Sequence, residues 1–124
     1  MRRFLFDRFR SFSHAFAGLF DLFMHHTHAK IHLFFILSVT LFGFYVQLDL
    51  IEWCIVILCY STVVGAEAFN SAIEYLCDKV HPEQDPQIAK VKDIAAAAVL
   101  VVSIGAFCIG LILFFPKLIS CLPF

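Results

Sequence analysis

From Ile94 to Phe115 the chain runs for 22 residues without one charged side chain. About 20 apolar residues in a helix span the hydrocarbon core of a bilayer, where every backbone polar group must be paired internally. The run predicts a membrane-spanning helix, which makes a soluble fold untenable. Ile31 to Val46 is apolar apart from His32 and a few hydroxyls, and it reaches spanning length when extended back to about Thr27. A further span starts near Ile51 and continues to Asp78. The hydrophobic content of 61% fits this reading, as does the mean hydropathy of +0.88.

Residues 4–24 differ in kind. Leu5, Phe9, Phe12, Phe16, Leu19 and Phe23 recur at intervals of four and three, while Arg8, Ser11, Ser13, His14 and Asp21 fall mostly off that stripe. Such a helix lies in the membrane interface, its aromatic face in lipid. The expected architecture is an all-α membrane protein of one domain, residues 1–124. An interfacial helix at 4–24 precedes membrane helices at about 27–47, 51–78 and 92–115. Lys79 to Lys92, with Pro82 and Pro86, reads as a charged loop. No small-residue cleavage site follows the basic start, so a signal peptide is not expected.

Ten acids and nine bases leave a formal charge of −1, which gives no reason to expect a nucleic-acid partner. The distribution of basic residues is more informative. Arg2, Arg3, Arg8 and Arg10 precede the first span, and Lys79, Lys90 and Lys92 lie between the second and third. The connection between the first two spans has neither Lys nor Arg. Basic residues stay on the cytoplasmic side, so the N-terminus and the 79–92 loop are expected inside and the C-terminus outside. The five cysteines are scattered without a CxxC spacing, so neither a disulfide framework nor a zinc knuckle is indicated.

Glu67, Asn70, Glu74 and Asp78 share one narrow face of the second span at about 100° per residue. Nothing from Trp53 to Ala66 is charged, so Glu67 sits at membrane depth or at its edge. A carboxylate there is costly unless it faces the protein interior and meets a partner or an ion. The face is therefore read as a functional site opening to the cytoplasm.

The string Glu67-Ala-Phe-Asn70-Ser-Ala-Ile-Glu74-Tyr-Leu-Cys-Asp78, followed by Ala89-Lys90-Val91-Lys92-Asp93-Ile-Ala-Ala-Ala-Ala, resembles the small prokaryotic diacylglycerol kinase and undecaprenol kinase family. Ser11-Phe12 through Gly18 and Lys30-Ile31-His32 also resemble that family's entry region. The alanine-rich start of the third span looks more like the undecaprenol kinase branch. The resemblance implies a homotrimer in the bacterial inner membrane. It also implies transfer of the ATP γ-phosphate to a lipid hydroxyl, undecaprenol or diacylglycerol, at the cytoplasmic face. By resemblance, Glu67 is the general base with Asn70 in support, Glu74 a ligand of Mg²⁺, and Lys92 and Asp93 nucleotide contacts, with Asp78 and His14 beside them. Phosphoryl transfer calls for these roles: positioning, neutralisation of phosphate charge, and a base for the attacking hydroxyl.

Three positions depart from the family pattern. A second metal-binding glutamate is expected where His26 stands, an asparagine at His28, and an aromatic residue at His14. Mg²⁺ prefers oxygen ligands, whereas imidazole suits transition metals better. His26 is therefore a weakened Mg²⁺ ligand, and a transition metal at the histidine segment is one alternative. Others are phosphate contacts from His28 and Lys30, or plain interfacial polarity. The histidines also leave open a lipid phosphatase or other phosphotransferase on the same scaffold, or an altered lipid- or metal-binding protein.

Overall fold

The computed structural model describes residues 2–81, 83 and 85–120, with side chains from residue 8 onward. Leu5, Arg2 and Arg3 of the expected stripe and basic start lie outside the described side chains, as do Pro82, Cys121 and Pro123. The described chain is helical: α1 Arg2–His25, α2 Thr27–Tyr45, α3 Leu50–Val80 and α4 Pro86–Ser120. The last three are long and apolar enough to cross a membrane.

The break between α1 and α2 falls on one residue. His26 is extended (φ −98°, ψ 121°), and it separates α1 from α2. Phe9, Phe12 and Phe16 of the α1 stripe point away from the rest of the protein, each about two-thirds exposed or more. Leu22, buried at the C-terminal end of α1, is where this helix meets the bundle. An aromatic face left open by its own chain is what an interfacial helix requires.

Asp49 starts α3 with a reciprocal capping box. Its carboxylate accepts from the Glu52 N–H at 2.9 Å, and Glu52 Oε2 accepts from the Asp49 N–H at 2.8 Å. Lys117 Nζ approaches the same Glu52 oxygen at 2.8 Å, joining the far end of α4 to the start of α3. The α2–α3 turn holds Gln47 at φ 55°. Trp53 packs so closely over Gly43 that a Cβ there would lie 2.9 Å from the indole ring. Glycine is needed at this crossing.

The 79–92 segment corrects the expected loop. Helix α3 runs to Val80 and α4 begins at Pro86, so Lys90 and Lys92 are helical. Proline lacks only an N–H that the first helical turn leaves unpaired, so Pro86 starts a helix readily. Asp85 caps it, accepting from the Gln87 N–H at 2.6 Å. At the other end α4 continues through Pro116 to Ser120.

Helices α3 and α4 pack most extensively, with α2 against α3 and the end of α1 against both α2 and α3. The buried residues of α3 are Val56, Val63, Glu67, Asn70, Ser71 and Cys77. Apolar near the start and polar near the end, they form one continuous inward stripe. Tyr60 and Thr40 add a polar tie between the apolar stretches of α2 and α3, their hydroxyls 3.2 Å apart. Interhelical hydrogen bonds of this kind hold spans together where lipid offers no hydrophobic drive.

Candidate active site

Because the polar residues of α3 continue its packed face, Glu67 is only 3% exposed. Its carboxylate faces α2, where His32 Nε2 lies 4.0 Å from Glu67 Oε2. One turn on, the Asn70 amide donates to Glu74 Oε1 at 2.8 Å. The other amide atom, Asn70 Oδ1, is buried without a hydrogen-bond partner. Native structures leave few such atoms unsatisfied, and one beside a carboxylate is a natural place for a bound cation or donor.

The next turn, Ser71 to Tyr75, reaches the C-terminal end of α1 and the break that follows it. Ser71 Oγ lies 3.2 Å from His26 Nδ1, and His26 Nε2 lies 3.1 Å from the Tyr75 hydroxyl. Tyr75 donates to Asp21 Oδ2 at 3.3 Å, and Asp21 Oδ1 meets His25 Nδ1 at 2.9 Å. The His26 and Tyr75 rings also meet edge to face, with centroids 5.2 Å apart. This chain ties α1 to α3 across the break at His26. It also explains Asp21, an acid that sits poorly with a purely lipid-facing helix.

At the mouth of the bundle Lys92 pairs with Asp78, bringing the start of α4 against the end of α3. Both line a cleft of about 490 Å³ with Glu83, Asp85, Ile88 and Ala89. Asp93 is exposed one residue further on.

The structure thus brings together Glu67, Asn70 and Glu74 along α3, and Asp78 with Lys92 between α3 and α4. His26 stands beside Ser71 and Tyr75, both ring nitrogens engaged. His14, His28 and Lys30 are exposed. Among the described residues, no side-chain hydrogen bond or ion pair joins them to this cluster, and no group of three or more His, Cys, Asp or Glu is placed to hold a metal ion. Ser71, Tyr75, Asp21 and His32 are additions that the carboxylate string does not single out. Helical spacing from Glu67 would have found Ser71, but the other three depend on how α1 and α2 pack.

Residues 13–114 match the family described as prokaryotic diacylglycerol kinase. The chain belongs to that family. Its class of activity is therefore that of a lipid kinase, and the phosphatase alternative gives way. A relative named undecaprenol kinase, from Bacillus subtilis (strain 168), is 34% identical over 110 residues, covering 89% of each chain. Another, named diacylglycerol kinase, from Synechocystis sp. (strain ATCC 27184 / PCC 6803 / Kazusa), is 32% identical over 111 residues. That match covers 89% of this chain and 63% of the relative. No solved structure matches significantly. The family match includes every residue of the α3 cluster and both Lys92 and Asp93, so family membership and site geometry concern the same part of the chain.

Proposed function

We propose that this lipid kinase transfers the γ-phosphate of ATP to the hydroxyl of undecaprenol, with diacylglycerol as a poorer acceptor, at the cytoplasmic face of the bacterial inner membrane. The carrying observation is Glu67, a carboxylate 3% exposed on the packed face of a spanning helix. An apolar residue would stabilise that position better, so its presence fits a base for a hydroxyl arriving from the bilayer. Preference for undecaprenol is supported by the Bacillus relative, matched over 89% of its length.

Glu67 accepts the proton of the attacking hydroxyl. Asn70 orients Glu74 through the 2.8 Å hydrogen bond. Glu74 and the unpartnered Asn70 Oδ1 present two hard oxygens, a donor set that suits Mg²⁺, which is commonly held by one or two carboxylates together with substrate phosphates and water. When bound, that ion would neutralise phosphate charge. Lys92, held ready by Asp78, contacts the phosphates from the start of α4, with Asp93 beside it. His14, His28 and Lys30 lie on the same cytoplasmic side as candidate phosphate contacts. His26 is assigned as an oriented interfacial group, with a metal role secondary.

The exposed apolar faces of α2, α3 and α4 are consistent with a homotrimer in which sites are shared between protomers. Purified protein in lipid micelles, given γ-labelled ATP and either undecaprenol or diacylglycerol, tests the reading. Label is expected on undecaprenol with the higher kcat/KM. Absence of transfer to either lipid, by protein that binds ATP, would overturn it.

A further inference from the structure

The buried base has an unusual neighbour. At 4.0 Å, His32 Nε2 and Glu67 Oε2 are too far apart to satisfy one another by a hydrogen bond. They are close enough for one oxygen to satisfy both. An oxygen about 2.8 Å from each atom subtends about 90° between them, within the range a hydroxyl adopts when it donates to one group and accepts from another. His32 also lines an apolar groove of about 670 Å³ between α2, α3 and α4, together with Val63, which lies one turn before Glu67. A hydroxyl carried on a hydrocarbon chain in that groove meets His32 directly and lies one turn of α3 from Glu67, which is buried just beyond the groove lining.

We infer that His32 is a second catalytic residue, donating from Nε2–H to the acceptor lipid's hydroxyl oxygen while Glu67 takes the hydroxyl proton. This rests on the reading of Glu67 as the base. The step balances as one displacement. The hydroxyl oxygen forms the new bond to the γ-phosphorus, and the bond from that phosphorus to the β,γ-bridging oxygen breaks, its electron pair leaving with ADP. The proton passes to Glu67, and His32 keeps its own. In this arrangement His32 fixes the direction of the oxygen lone pair, so its contribution is to orientation and acceptor selection.

The experiment compares His32→Phe, which keeps a ring and loses the donor, with His32→Gln, which keeps an N–H, and with Glu67→Gln. Steady-state assays vary undecaprenol and ATP separately, and binding of a fluorescent ATP analogue reports an intact nucleotide site. His32→Phe is expected to lower kcat/KM for undecaprenol about 30-fold, with KM for ATP within twofold. His32→Gln should recover at least fivefold over His32→Phe. If Glu67→Gln is inactive while His32→Phe stays within twofold of wild type, His32 has no such role and the base reading stands. Equal loss of lipid and nucleotide parameters in His32→Phe, without recovery in His32→Gln, would make His32 structural and overturn the inference. An active Glu67→Gln would remove the base, and the assignment of His32 with it.

Discussion

The amide of Asn70 donates to Glu74 Oε1 at 2.8 Å across one turn of α3, leaving Asn70 Oδ1 buried and unpartnered. An asparagine placed this way aims the carboxylate and offers an oxygen of its own. Groups that orient a metal ligand typically matter about 10–100-fold in affinity or activity. Asn70→Ala should accordingly raise the Mg²⁺ concentration for half-maximal activity by about tenfold or more. An unchanged Mg²⁺ titration would separate Asn70 from the ion.

The Lys92–Asp78 pair is solvent-accessible, with Asp78 two-thirds exposed, so water and salt screen it and it contributes little to folding. A functional lysine at that place gives a different signature. Lys92→Met should leave thermal stability within a few degrees of wild type yet lower kcat/KM for ATP about 100-fold. Melting curves beside ATP kinetics check this. A large fall in stability with unchanged ATP kinetics would reverse the assignment.

Tyr75 links His26 of the helix break to Asp21 of α1. Tyr75→Phe removes both bonds and keeps the ring. Hydrogen exchange at the C-terminal end of α1 should accelerate several-fold, with exchange in the middle of α4 unchanged. Equal exchange throughout α1 would mean that Leu22 and its neighbours hold the helix without the chain.

Much of this molecule is written in the spacing of its charges. The uncharged run in α4 and the inward line from Val56 to Asn70 follow from helical period and the absence of water in lipid. The start of α4 was less legible, because Pro86 reads equally as a loop residue or as the first residue of a helix. Asp85 decides by accepting from the Gln87 and Ile88 N–H groups. His32, Tyr75 and Asp21 were illegible for another reason. Their partners lie 35, 49 and 54 positions away along the chain, and only the packing of α1 and α2 on α3 brings them together. Nothing in local periodicity carries that information.

Glu67 and Lys92 stand on different helices near one end of the bundle, and a site shared between protomers makes their loss complementable. Mixed oligomers of Glu67→Gln and Lys92→Met chains should recover part of the wild-type turnover, up to about one site in four if subunits mix at random. Mixtures with proven subunit exchange and no recovery would place both groups in one chain's own site.

The base assignment meets its most direct test in single-turnover phosphoryl transfer by Glu67→Gln. Glutamine keeps the shape and removes only the proton acceptor, so nucleotide binding and membrane insertion should persist. The chemical step should slow by about 100-fold or more, in the range that a positioned general base supplies. A rate within twofold of wild type, in protein that binds ATP normally, would contradict the role of Glu67.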